Sequence, residues 1–394
     1  CLSNMKHAAM QMQHIAKEFG CTVIVSSSDA TDHATEYLQE QADVVITGEA
    51  EFTLLESLQH YREANTDLQA VKGIVYKDTD DSIVKTLPRP VHKQLDELPL
   101  PAWDLVDIAP YKKIWQQHHG YFSINMATTR GCPYKCNWCA KPIYGNAYHM
   151  RSPQHVVAEI VLLHELFGMD HIWFADDIFG LKRSWVAAFA VQMQQVGMTI
   201  PFKIQSRADL LVQEHYVQDL AAAGCAEIWM GAESGSQKVL DAMDKGTTVA
   251  QIRQARALLK KHEIKAAFFL QFGYPEETKE DIDLTLELLA ETMPDDIAIS
   301  ISYPLPATVF YERVKSQLSA KSNWEHSDDL ELMYRQTFSK SYYRKLHRYT
   351  HSFFRMEQAR KESLASPMKY PRMLRNALQK KFYQHLMKRS AHAD

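Results

Sequence analysis

Arg130-Gly131-Cys132-Pro133-Tyr134-Lys135-Cys136-Asn137-Trp138-Cys139 places three thiols at spacings of three and two intervening residues. A loop this short wraps a single metal centre. Thiolates are the usual ligands of iron-sulfur clusters, and three of them on a four-iron cube leave one iron without a protein ligand, open to chemistry. Ferredoxin-type carriers fill all four positions with cysteine, and structural zinc closes its tetrahedron. No fourth cysteine stands nearby. The alternative on the residues alone is a Cys3His zinc knot completed by His118, His119 or His149. The remaining cysteines, Cys1, Cys21 and Cys225, lie in apolar or helix-end contexts and read as small buried hydrophobes.

The loop leaves the first of a series of apolar runs. Six candidate strands, at 122–128, 171–174, 202–205, 227–231, 266–272 and 297–302, alternate with helical patterns. The helix after the first strand has Ser152 as N-cap, Pro153 in its first turn, Val156, Ile160, Leu163 and Phe167 on one face, and Gly168 past its end. Six βα units predict an α/β protein built on a partial (β/α)6 TIM-like barrel, with its chemistry where the strands' carboxyl ends meet the following loops. Polar residues recur at those ends: Asp176-Asp177, Gln205-Ser206-Arg207, Glu233-Ser234-Gly235 and Gln271. Each also has a plain structural reading. Asp176 and Asp177 suit a helix cap or, remotely, a paired-carboxylate glycosidase site; Arg207 suits an ion pair, and residues 233–235 suit a strand-to-helix turn.

Upstream, a helix at 5–19, an apolar run at 21–25, a helix at 34–41, a strand at 44–47 and a helical pattern from Gly48 to about Tyr61 predict parallel strands with covering helices. Pro88, Pro90, Pro99, Pro101 and Pro110 mark a linker. The expected division is 1–76 as a partial doubly wound domain, 77–118 as Pro-rich linker, 119–322 as barrel and 323–394 as a basic helical region. The opening stretch reads as mid-helix, so an N-terminal portion is expected to precede Cys1.

At 394 residues and 46% apolar, the chain has material for two or three cores. A net charge of −4 argues against a nucleic-acid grip spread over the surface. From Ser341 onward, thirteen Lys or Arg face only Glu357, Glu362 and Asp394, a basic tail that reads as a solvated helical face. Six cysteines, three of them crowded together, suit a reducing cytoplasmic compartment better than a disulfide framework. No window approaches the ~18 apolar residues of a spanning helix, and no secretory leader opens the chain.

The C-x3-C-x2-C loop, with Trp138 before its last cysteine and a βα series behind it, resembles the radical S-adenosylmethionine superfamily over about residues 121–313. The resemblance implies that Cys132, Cys136 and Cys139 hold a 4Fe-4S cluster, and that S-adenosylmethionine chelates the open iron through its amino and carboxylate groups. One electron then cleaves the sulfonium bond, giving methionine and a 5'-deoxyadenosyl radical. It further implies cosubstrate contacts at the strand ends. Asp176 or Asp177 would face the amino group and Arg207 the carboxylate; Glu233 and Ser234 would meet the ribose or methionine end, with Gln271 a further polar contact.

The front segment resembles that superfamily's cobalamin-binding subclass. Gly48-Glu49-Ala50-Glu51-Phe52-Thr53 is similar to its Gly-Glu-Gly-Glu-x-Thr turn near the cobalamin nucleotide tail, which assigns Gly48, Glu49 and Glu51 to the cofactor. Ala50 replaces the second glycine, and Ser26-Ser27 stand where a glycine pair is usual, narrowing the room for a bulky group. A relic domain that binds nothing is the alternative, and His33 reads as a surface helix residue rather than a cobalt ligand. The resemblance implies a small-molecule substrate, a flavodoxin- or ferredoxin-like electron donor, and methyl transfer or oxidative ring cyclisation as the outcome. The rival is a non-catalytic zinc scaffold or iron-sulfur sensor.

Overall fold

Six parallel strands carry the barrel part of the fold: β1 (Ser123–Met126), β2 (His171–Phe174), β3 (Phe202–Ser206), β4 (Cys225–Glu233), β5 (Lys265–Phe272) and β6 (Asp296–Ile301). The coordinates are a computed structural model that describes residues 2–63, 67–318, 332–365 and 370–390. In the sheet the strands lie side by side in chain order, every neighbouring pair parallel, so each crossover repeats the one before it. The result is a curled half-barrel sheet. Register is fixed by pairs such as Ile172↔Phe202, Ile204↔Ile228 and Phe272↔Ile301. Ile172, Phe174, Phe202, Ile204, Ile228, Met230, Phe268 and Leu270 are buried, the apolar pattern a covered parallel sheet requires. Phe174 and Phe202 meet Phe179 and Phe189 in an edge-and-tilt aromatic cluster, with Trp185 stacked on Phe189.

The helices start where local chemistry satisfies their first N–H groups. Ser152 caps Pro153–Phe167 through His155 N–H, and Gly168 ends that helix in the left-handed conformation, both as the sequence predicts. Thr248 with Gln251 and Thr278 with Asp281 form reciprocal capping boxes on the helices Val249–Lys261 and Lys279–Thr292.

Two compact units emerge, each drawing on separated stretches of chain. One comprises Cys1–Leu95, Arg130–His149 and Pro304–Asp328; the other comprises Asp96–Thr129, Met150–Tyr303 and Asp329–Asp394. The first holds a four-stranded sheet in which Ile24–Ser26 and Val44–Ile46 run parallel, as expected. Ile74–Lys77 and Ile83–Lys85 then add on antiparallel, which the expectation of parallel strands alone did not include. Their turn closes through Asp78 N–H to the Ser82 carbonyl, with Asp81 left-handed. Residues 77–118 are therefore more than a linker. Besides that hairpin strand they contain the helix Ala109–His119, where Pro110 occupies a first-turn position that needs no N–H donor. Proline marked a helix start there, not an absence of structure.

In the second unit the helix Lys340–Ala365 lays Tyr342, Tyr343, Leu346 and Tyr349 against Phe272, Ile282 and Ile301. A second helix, Tyr370–Ser390, follows, so the helical character expected for 323–394 is present in its described part; Cys1 and residues 319–331 lie outside the described residues. Among the described residues no helix is long and apolar enough to cross a membrane. Cys225 is buried, as predicted, and burial raises its thiol pKa well above the ordinary value. Cys21 is instead exposed, because the strand begins three residues later, at Ile24.

Candidate functional site

The cysteine loop belongs to the first unit. Gly131 opens it with φ +81°, and a Cβ there would lie 2.2 Å from the Ala147 carbonyl oxygen, so only glycine lets the two limbs of the loop meet. Lys141 ties the loop from within. Its Nζ donates to the Cys132 carbonyl at 3.1 Å, to Asn146 Oδ1 at 2.6 Å and to the Tyr134 carbonyl, matching its three donors to three acceptors. The Asn137 carbonyl accepts from Phe310 N–H at 2.9 Å, which fixes the middle of the loop to the segment after Pro304. Cys132, Cys136 and Cys139 are all partly exposed and none is in a disulfide.

Cys136 and Cys139 line a cavity of about 320 Å³ together with Asp32, Lys135, Lys141 and Thr308. Among the described residues no three His, Cys, Asp or Glu side chains converge on a point that one ion would occupy. Cluster thiolates do not converge in that way, since each binds a different iron of the cube. The donor set, three thiols on one braced loop with two on a cavity wall, fits a four-iron cluster.

In the second unit the strand ends hold the other predicted residues. Asp176 is buried, and it does not cap a helix. Oδ1 accepts from Thr128 N–H at 2.7 Å and Thr129 N–H at 2.8 Å, and Oδ2 accepts from the Thr128 hydroxyl at 2.6 Å. It pins the end of β2 to the residues just past β1. Burial raises its pKa to about 6 against the opposing pull of those hydrogen bonds. Asp177 is exposed.

Glu233, Arg207 and a residue the sequence reading missed, Lys245, form one buried network. Lys245 Nζ donates to Glu233 Oε1 at 2.6 Å, while Arg207 Nη2 donates to the Lys245 carbonyl at 2.7 Å and Arg207 Nε to Asp209 Oδ1 at 2.9 Å. Glu233 has φ +58°, and the pairing of β4 with β5 slips between Gly231 and Glu233. A left-handed glutamate on a bulge is strained, and such strain concentrates at functional sites. A Cβ on Gly231 would lie 2.6 Å from Lys245 Nζ and 2.7 Å from Glu233 Oε1, so the missing side chain makes room for the ion pair. Only the place of Lys245 beside Gly246, between two helical patterns, hinted at its role.

Ser234, expected as a ligand contact, lies in the turn after β4. Its hydroxyl meets Thr285 Oγ1 at 3.2 Å and accepts from Ser236 N–H at 3.1 Å, so it secures the strand-to-helix turn. Gln271 is 3% exposed, and its Oε1 has no hydrogen-bond partner among the described residues; Ser206 Oγ and Ser302 Oγ, at the ends of β3 and β6, share that state. Buried polar atoms are rarely left so, and three at strand ends fit a polar ligand such as S-adenosylmethionine.

The turn at Gly48, expected to meet the cofactor, is tied to Arg130 and His92. Glu49 Oε1 accepts from Arg130 Nη1 at 2.7 Å and its Oε2 from His92 N–H at 2.5 Å, while Glu51 takes both Arg130 Nη atoms. Gly48 is left-handed at φ +92°, and a Cβ there would meet nothing within 4 Å. Ser27 caps a short helix through Ala30 N–H. These carboxylates and the Ser27 hydroxyl are engaged within the protein.

Comparison with known proteins agrees with this arrangement. Residues 126–289 match the sequence profile described as the Radical SAM superfamily. The chain is 29% identical over 287 residues to an uncharacterized methyltransferase of Pyrococcus horikoshii, covering 72% of this chain and 60% of that protein. It is 28% identical over 282 residues to the anaerobic magnesium-protoporphyrin IX monomethyl ester cyclase of Cereibacter sphaeroides, covering 70% and 45%. Among solved structures, the cobalamin-dependent S-adenosylmethionine radical enzyme OxsB with aqua-cobalamin bound superposes with TM-score 0.70 at 16% identity, covering 95% of this chain and 62% of that one. The radical S-adenosylmethionine methyltransferase TsrM of Kitasatospora setae, with cobalamin and a [4Fe-4S] cluster bound, gives TM-score 0.64 at 16% identity, covering 78% and 60%. The chain thus spans 45% to 60% of the length of these two curated relatives.

Proposed function

Because this chain carries a radical SAM domain, we propose that it reductively cleaves S-adenosylmethionine to begin radical modification of a small molecule, with methyl transfer as the outcome. The observation that carries the reading is the braced loop of Cys132, Cys136 and Cys139, with Cys136 and Cys139 on a cavity wall. When bound, a 4Fe-4S cluster supplies the electron, and S-adenosylmethionine the sulfonium bond whose cleavage yields the deoxyadenosyl radical. The protein's own part is to hold and orient. The three cysteines would hold the cluster. Glu233, its charge balanced by Lys245, accepts hydrogen bonds from the ribose, and Arg207 fixes the backbone of that network. Of the aspartate pair, exposed Asp177 rather than Asp176 meets the amino group, because both Asp176 oxygens serve Thr128 and Thr129. Gln271, Ser206 and Ser302 supply the remaining polar contacts.

Methyl transfer is favoured by the methyltransferase among the relatives and by the fold shared with TsrM. Cobalamin is carried into the proposal by the fold shared with two cobalamin-bound proteins. The cyclase relative supports ring cyclisation as a second reading. A low-potential flavodoxin or ferredoxin would deliver the electron, in a reducing cytoplasmic compartment.

Anaerobic reconstitution with iron and sulfide tests the core. About four irons per chain, with an electron paramagnetic resonance signal that changes on adding S-adenosylmethionine, is the expected result. One zinc and no response would establish the scaffold reading. Product mass spectrometry with methyl-labelled S-adenosylmethionine separates methyl transfer from cyclisation, since only the former carries the label into product.

A further inference from the structure

Resting on the reading of residues 132–139 as a cluster loop, we propose that Arg130, held by Glu49 and Glu51, is a positioning clamp that sets this loop in ligand-ready geometry before any cluster arrives. Arg130 stands two residues before Cys132 and reaches across 81 and 79 residues of sequence to Glu49 and Glu51. The partners are themselves fixed. Glu49 is held by His92 N–H through its second oxygen, and Thr53, in the same turn, accepts from Arg89 Nε at 2.8 Å while Arg89 pairs with Glu56. On its other side the Arg130 guanidinium lies 5.6 Å from the centre of the Tyr144 ring, on the returning limb of the loop. Next to it, Gly131 packs directly on the Ala147 carbonyl. One side chain therefore joins a rigid turn to both limbs of the thiol loop.

The geometry demands arginine. A planar fork serves two carboxylates and a ring face at once, whereas an ammonium is a single point charge. Burial opposes ionisation of Glu51, yet the hydrogen bonds and charge of Arg130, with a backbone hydrogen bond and nearby His92, together hold its pKa below the ordinary value, in keeping with a standing ion pair. Ordering the loop in advance spares the metal centre that entropic cost when it binds. The acidic turn thus serves the cysteines.

Amide hydrogen exchange on the cluster-free protein reads the clamp directly. In both Arg130→Met and the pair Glu49→Gln with Glu51→Gln, exchange across residues 131–140 should accelerate at least tenfold, while Lys265–Phe272 keeps its wild-type rate as an internal check on folding. The triple variant should exchange no faster than Arg130→Met alone, and Arg130→Lys should fall between. After reconstitution, both variants should lose iron to a chelator faster than wild type, although they alter local charge in opposite senses. Unchanged exchange, additive effects, or opposite shifts in iron loss would overturn the clamp. Because exchange is measured without cluster, a wild type that takes up no four-iron centre would defeat the proposed function and leave this result to stand or fall on its own.

Discussion

Lys245 Nζ sits 2.6 Å from Glu233 Oε1, with the lysine 7% and the glutamate 4% exposed. The pair lies over Gly231, and the Lys245 carbonyl is gripped by Arg207, so the ends of β3 and β4 and the loop that carries Lys245 are bound into one polar network. A pair this deeply buried is costly to assemble and is better explained by what it presents to a ligand than by stability alone.

Removing one partner should be worse than removing both. Lys245→Met leaves Glu233 buried without compensation and is expected to cost about 3–5 kcal/mol of unfolding free energy. Adding Glu233→Gln should recover a large part of that loss while S-adenosylmethionine binding stays weak. Urea denaturation of the two variants and calorimetric titration of the cosubstrate check this; additive destabilisation would contradict the coupling.

Gly231→Ala separates the site from the scaffold. The new methyl group would press on the charged ends of Lys245 and Glu233 rather than on backbone, an overpacking cost of about 1–3 kcal/mol. Affinity for S-adenosylmethionine should nevertheless fall tenfold or more as Glu233 is displaced. Equal affinity in the variant would show that Glu233 makes no cosubstrate contact.

Cys136→Ala should abolish deoxyadenosine formation and bring iron content well below that of wild type. Lys141→Met keeps all three thiols but deprives two loop carbonyls and Asn146 of their donor. It should assemble a cluster that loses iron several-fold faster, by absorbance decay under chelator. Near-normal deoxyadenosine from Cys136→Ala would remove the basis of the proposed function.

Glu277 gives a pH signature. Burial raises its pKa to about 8, outweighing the Gly273 N–H bond it accepts; Asp281 pushes the same way and Lys238 opposes. A carboxyl raised in the folded state contributes stability that is complete below its unfolded value near 4.5 and is lost as pH rises through about 8. Glu277→Gln keeps a neutral side chain at every pH. Its thermal stability should match wild type near pH 5 and exceed it increasingly up to about pH 9, followed by scanning calorimetry. A gap that does not widen with pH would show Glu277 ionised throughout.

The helix Pro153–Phe167 and strand β2 lie where local pattern placed them, because a cap, a first-turn proline, a terminal glycine and apolar periodicity are all short-range. The same holds for the series of six parallel strands. Pro110, read as a mark of the linker, also opens the helix Ala109–His119, since one residue suits both a linker and a helix start.

By itself the sequence determined where the six barrel strands and the three thiols fall along the chain, since strand periodicity and ligand spacing are written in consecutive residues. Tertiary structure alone decided which polar side chains have company. It gave Glu233 its lysine, turned Asp176 inward to two threonines, and joined Glu49 and Glu51 to Arg130. Such pairings link residues 12 to 81 positions apart. They are set by burial, which forces each charged or polar group to find a partner in space rather than along the chain.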